Sequence, residues 1–152
     1  MALVGIVVGS KSDEPLLGQT MELLGELNIE AELVVASAHR TPERLRQYVQ
    51  AAPGRGIEVF IAAAGGAAAL PGVVASMTTL PVIGVPLASS DLKGIDALHS
   101  IVQMPPGVPV ACMAVGTWGA RNAAVMVAQI LALKYDTIRI AHDAYRHRLN
   151  EA

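Results

Sequence analysis

Five apolar runs alternate with amphipathic stretches along nearly the whole chain, and this alternation limits the available folds more than any other feature. The runs lie near residues 2–8, 31–36, 58–63, 82–87 and 110–115. Helical patterns lie near 13–27, 42–52, 67–77, 94–104 and 119–134. Each run is close to continuously apolar, as strands covered on both faces of a parallel sheet are. Parallel neighbours need a long crossover, which a helix supplies. Five βα units with right-handed crossovers predict a doubly wound α/β sheet, for which the strand order 2-1-3-4-5 is expected. A further helix, about 136–149, places Ile138, Ala141, Tyr145 and Leu149 on one face. It follows the fifth unit and is expected to pack on a neighbouring subunit. Residues 1–152 read as a single α/β domain, since the length suits one domain and no repeat, linker or low-complexity tail divides it.

Apolar residues make up 53% of the chain but aromatics only 3%, so the core must be built from Ala, Val, Leu and Ile. Charged residues are 16%, against about 25% in an ordinary domain. So apolar a chain cannot cover itself with polar surface, and leftover apolar surface marks protein contacts. A homo-oligomer is expected. The net charge of −2, with no basic patch or aromatic ladder, argues against a nucleic-acid partner. Val59 to Ser90 carries no charge and is long enough to span a bilayer. Gly65-Gly66, Pro71-Gly72, Pro81 and Pro86 break it into strand, loop, helix and strand, so no membrane role is expected. Cys112 is the lone cysteine, which excludes an internal disulfide and fits a reducing compartment. The opening Met1-Ala2-Leu3-Val4-Gly5 has no charged region of a secretion signal. A cytoplasmic location is expected.

In open α/β sheets ligands bind at the carboxyl ends of the strands. Three such ends carry suggestive residues. After the second run comes Ala36-Ser37-Ala38-His39-Arg40-Thr41-Pro42. His39 can move a proton near neutral pH, and Arg40 can hold a phosphate or carboxylate through two parallel hydrogen bonds. Thr41 is expected to cap the next helix, with Pro42 at its first position. After the first run comes Gly9-Ser10-Lys11-Ser12-Asp13. Its hydroxyls and the free amides of a helix start make an anion cradle. Asp13 is the natural N-cap here, or an acceptor for a ribose diol. The spacing is neither a Walker loop nor the GxGxxG fingerprint. After the third run, Ala62 to Gly72 is rich in Gly and Ala, which permits close approach of a ligand or of another backbone.

Five segments in order resemble one family. They are Gly9-Ser10-Lys11-Ser12-Asp13, Ser37-Ala38-His39-Arg40-Thr41-Pro42, Gly65-Gly66-Ala67-Ala68, Leu70-Pro71-Gly72 and Ser100-Ile101-Val102-Gln103-Met104-Pro105. The family is N5-carboxyaminoimidazole ribonucleotide mutase of purine (IMP) biosynthesis, the catalytic subunit of a phosphoribosylaminoimidazole carboxylase system. The likeness runs from Val4 to about Leu133. It implies a flavodoxin-like three-layer fold, an octamer, and an isomerase with no metal and no cofactor. By the resemblance, a carboxyl group moves from an exocyclic nitrogen to ring carbon 4 of an aminoimidazole ribonucleotide. His39 is then the general acid and base. Ser10, Ser12, Asp13 and Arg40 hold the ribose phosphate, with Ser37 beside them. Ala64, Gly65 and Leu70 complete the substrate site.

The chain departs from the family pattern at Ala69, where His is usual, and at Thr117-Trp118, where Lys-Ala is usual. A related branch carboxylates the ribonucleotide directly with carbon dioxide and tends to carry Lys after the motif histidine. Arg40 and Gly65-Gly66-Ala67-Ala68 favour the mutase. The third reading is a non-catalytic nucleotide-binding module of the same fold. His142 and His147 lie five apart, roughly 140° around a helix, which does not build a metal-binding pair. With no clustered Cys or carboxylate, no metal site is expected.

Overall fold

The computed structural model describes residues 1–151; Ala152, the end of the expected domain, lies outside them. Five parallel strands form one sheet: β1 (Val4–Val8), β2 (Ala31–Val35), β3 (Val59–Gly65), β4 (Val82–Leu87) and β5 (Ala111–Cys112). Six helices accompany them: α1 (Gly18–Glu26), α2 (Pro42–Ala51), α3 (Leu70–Met77), α4 (Ile95–Val102), α5 (Thr117–Leu131) and α6 (Asp136–Glu151). The sheet order is β2-β1-β3-β4-β5, as the alternation predicts. Val8 stands level with Val35 on one side and Ala63 on the other, so the carboxyl ends of β1, β2 and β3 reach one rim.

The two-residue period of a strand sorts side chains to opposite faces. Val4, Ile6 and Val8 of β1, with Val59, Ile61 and Ala63 of β3, join the core beneath α1 and α5. Val7, Phe60, Ala62 and Ala64 join the core on the other face, with Leu45 and Val49 of α2, Val74 of α3, and Ala97 and Ile101 of α4. Three layers result. The sole Phe is buried, and nearly all other buried apolar side chains are Ala, Val, Leu or Ile. Gly84 shows how closely the layers approach: a Cβ there would sit 2.5 Å from Ile101 and 2.8 Å from Val110.

Three departures from the sequence reading have local causes. Residues 11–17 form a 3-10 segment before α1 instead of part of one helix from 13. Pro15 lies inside it; a proline cannot donate the i→i−4 bond and disfavours helix at the preceding residue. Strand β5 spans two residues, not the expected 110–115. The carbonyls of Gly84 and Pro86 accept from the amides of Met113 and Gly116, so this edge of β4 faces β5. Pro86 has no N–H to return, and three residues of one chain pass two of the other there, which ends the ladder. Helix α3 begins at Leu70 and not near 67, because Gly66 and Ala68 have positive φ values of 63° and 45°.

Helix α6 seats Ile138 and Tyr145 on the α1/α5 core of its own chain and leaves Ile140 and Leu149 exposed. Its Arg148 reaches Glu26 of α1 at 3.8 Å. Trp118, Leu133, Leu92 and Ile95 are also exposed, the apolar surplus that the composition implies. No helix among the described residues is long and apolar enough to cross a membrane.

Thr20 is the one buried polar side chain among the described residues. Its hydroxyl donates to the Ala120 carbonyl at 2.9 Å and ties α1 to α5. Thr20→Val keeps the shape and removes the bond. Chemical denaturation is expected to show a loss of about 1 kcal/mol, the net value of a neutral hydrogen bond. No loss would mean that the bond contributes nothing to α1–α5 packing.

Candidate active site

Strands β1 and β3 are neighbours, yet their chains leave for opposite faces of the sheet. The crevice between them opens into a cavity of about 320 Å³. Gly9, Ser10 and Asp13 line it after β1; Ser37, Ala38, His39 and Arg40 after β2; Ala64 to Leu70, apart from Gly66, around the end of β3; and Ser89 after β4. The topological switch of the sheet therefore carries the site, as the doubly wound architecture requires. A larger groove, about 680 Å³, lies at the opposite rim, but none of its lining residues is titratable.

Each loop is held by its own polar contacts. Ser10, not Asp13, occupies the N-cap, with its Oγ accepting from the Ser12 amide at 3.3 Å. Asp13 sits in the first turn and faces the cavity, and its carboxyl is pushed above the usual range by burial, partly countered by the Arg40 charge. Ser12 is exposed and turned back on Ser10, the two hydroxyls 2.8 Å apart, and it lines no cavity. Thr41 stands at the N-cap of α2 without capping it. Its Oγ1 accepts from the Ser37 amide at 2.9 Å and donates to the Ser37 carbonyl, closing the turn that presents His39 and Arg40.

Arg40 bridges the first two strand ends. Its Nη2 donates to the Gly9 carbonyl at 3.0 Å, and its backbone amide donates to Ser37 Oγ at 3.1 Å. On its far side lies a second cavity, about 380 Å³, lined also by Lys11, Thr41 and Arg44. His39 is exposed and opens onto the first cavity. The geometry thus offers one titratable imidazole, one cation with free donors, and a wall of methyl groups.

That wall is built from β3 and the turn after it. Ala64 and Leu70 are buried, and Ala68 turns its methyl into the core at φ 45°. Gly65 has no room for a side chain as the site stands, since a Cβ there would lie 1.8 Å from Ser89 Oγ and 3.0 Å from the Leu87 carbonyl. Ser100 Oγ, from α4, donates to the Ala67 carbonyl at 2.5 Å. Seven of the eight expected substrate-binding residues, with His39, line the cavity; Ser12 does not. The sequence reading missed Ser89, which follows a strand with no motif around it, and took Ser100 only as part of a motif. Among the described residues no group of three or more His, Cys, Asp or Glu could hold a metal.

The AIR carboxylase family model matches residues 3–152. The N5-carboxyaminoimidazole ribonucleotide mutase of Pyrococcus abyssi is 53% identical over 146 residues, which are 96% of this chain and 83% of that one. The mutase of the same name from Pseudomonas aeruginosa is 53% identical over 150 residues, 99% of this chain and 92% of that one. Among solved structures, Treponema denticola PurE superimposes with a TM-score of 0.87 at 26% identity, covering 99% of this chain and 93% of that chain.

Gly65→Ala is expected to lower stability by about 1–3 kcal/mol, the range for overpacking. Adding Ser89→Ala removes the nearest obstruction, so the double variant should recover part of the loss, a coupling of about 0.5–3 kcal/mol. Denaturation curves of the four proteins in the cycle measure it. Strict additivity would mean that Ser89 is not what excludes a side chain at 65.

Proposed function

The chain belongs to the AIR carboxylase family, and we propose that it is an N5-carboxyaminoimidazole ribonucleotide mutase. It moves a carboxyl group from the exocyclic nitrogen to ring carbon 4 of an aminoimidazole ribonucleotide in purine biosynthesis. The observation that carries this reading is one turn, Ala38 to Arg40, at the mouth of a cavity walled by Gly65 and Ala67 to Ala69. A proton carrier, an anion anchor and an inert wall are the three things such a transfer needs.

The chemistry follows from those groups. His39 delivers a proton to the exocyclic nitrogen as the bond from nitrogen to carboxylate breaks, and carbon dioxide is released inside the cavity. Ring carbon 4 attacks it and forms the new carbon–carbon bond. The proton that carbon 4 must lose returns to His39. One proton out and one back leave the histidine as it began, so a single group serves as acid and base. Such proton transfer supplies about 10²–10⁴ in rate. Confinement of ring and carbon dioxide supplies much of the rest, since proximity is worth up to about 7–11 kcal/mol. The apolar lining at Ala64, Ala67 and Ala69 suits this role because it neither captures carbon dioxide nor brings water to it.

Arg40 anchors the 5′-phosphate, helped by Ser10 and Ser37, while Asp13 accepts from the ribose. Leu70 and Gly65 bound the ring. The enzyme works as a cytoplasmic homo-oligomer, an octamer, a reading supported by the exposed apolar side chains of Trp118, Leu133, Ile140 and Leu149.

Two substitutions separate these roles. His39→Asn is expected to leave ribonucleotide binding near normal and cut turnover at least about 10²-fold, read with the N-carboxylated substrate. Near-normal turnover would remove His39 from the mechanism. Arg40→Ala is expected to weaken ribonucleotide binding by about 1.5–3 kcal/mol, the scale of a hydrogen bond to a charged group, and to leave the unphosphorylated nucleoside unaffected in titration calorimetry. Equal losses for both ligands would contradict a phosphate contact.

A further inference from the structure

The turn Gly65 to Ala69 forms the wall of the cavity, and its backbone is unusual. Gly66 and Ala68, two residues apart, both have positive φ. Glycine adopts that region freely, whereas an alanine does so only when its surroundings hold it there. Within the turn, the Ala68 amide donates to the Gly65 carbonyl at 3.1 Å. From outside it, Ser100 Oγ of α4 donates to the Ala67 carbonyl at 2.5 Å, across thirty-three residues of sequence. It is the one side-chain hydrogen bond among the described residues that reaches residues 66–69; the other contact from outside the turn is the Val73 amide of α3, which donates to the Ala69 carbonyl at 3.0 Å. Buried Ala68 and the α4 residues Ala97 and Ile101 belong to the same core cluster. Ser100 lines no cavity itself.

We propose that Ser100 is a positioning residue, which, through the Ala67 carbonyl, holds the Gly65–Ala69 turn as the closed wall that confines carbon dioxide during transfer. The proposal rests on the mutase reading. Without the bond the turn can relax away from its left-handed conformation, and the wall moves relative to His39. A displacement of that kind is costly to a confined reaction, where about 1 Å of misplacement can remove up to about 10² in rate. The phosphate and ribose contacts, at Arg40, Ser10, Ser37 and Asp13, lie on the other side of the cavity and stay in place, so substrate binding should change little.

The test compares the full chain with Ser100→Ala and Ser100→Thr, using N-carboxylated ribonucleotide labelled with carbon-13 in the carboxyl group and unlabelled bicarbonate in solution. Ser100→Ala is expected to lose about tenfold in kcat with KM within about twofold, and to exchange more carboxyl carbon with the solution than the parent. Ser100→Thr, which keeps the hydroxyl, should restore both. Parent-like kcat and retention in Ser100→Ala would overturn the proposal, as would equal impairment of the two variants. A fall in kcat with unchanged label retention would assign Ser100 an ordinary structural role and also overturn it. If the unsubstituted chain fails to convert the substrate, the mutase reading itself is wrong and the proposal falls with it. Conversion by the parent with an unaffected Ser100→Ala leaves that reading standing and removes the proposal alone.

Discussion

Strands β1 and β3 lie side by side in the parallel sheet, yet α1 packs on one face and α3 on the other. Everything chemical in the molecule depends on that divergence. Had both crossovers gone to one face, the loops after the two strands would have covered their own rim. Because they part, the rim between them stays open, and the loops after β2 and β4 close its sides. His39, Arg40, Asp13 and Ser89 come from three different strand ends and meet only because the parallel register brings those ends level.

The second requirement is smallness. The wall of the cavity turns on Gly65, where a Cβ would lie 1.8 Å from Ser89 Oγ and 3.0 Å from the Leu87 carbonyl. Alanine at 64, 67, 68 and 69 continues that theme. The consequence is a surface with shape but little reactivity, opposite the polar side that carries His39, Arg40 and Asp13. The same preference for small side chains leaves Phe60 as the one fully buried aromatic ring of the core. The core is filled by Val, Leu and Ile in two layers, one on each face of the sheet. Apolar residues that find no room inside, Trp118 and Leu133 among them, remain on the outside.

Much of this was legible in the chain. The five apolar runs predict the sheet and its order, because a buried parallel strand writes itself as a continuous apolar segment. The rim motifs predict His39, Arg40, Ser10, Asp13 and the Gly/Ala wall, because a strand end followed by polar or small residues is where such a sheet binds ligands. What was not legible depends on partners distant in sequence. Thr41 looks like a helix cap, and only the fold shows its hydroxyl occupied by Ser37. Pro86 shortens β5 because its missing amide faces that strand, and sequence alone does not give the facing. Ser89 and Ser100 approach the Gly65–Ala69 segment from other elements: no motif surrounds Ser89, and the motif that contains Ser100 does not reveal that its partner is the Ala67 carbonyl. Ser12 looks equivalent to Ser10, yet it is spent on Ser10 as the backbone enters the 3-10 segment.

The central claim is that the carboxyl group travels within one confined site and does not come from solution. Its most direct test is a comparison of two initial rates for the unsubstituted chain. One starts from the N-carboxylated ribonucleotide without added bicarbonate, the other from the uncarboxylated ribonucleotide with saturating bicarbonate. Formation of the C-carboxylated product should be fast in the first and negligible in the second. A slow first reaction beside a fast, bicarbonate-dependent second one would contradict the claim and make the enzyme a direct carboxylase.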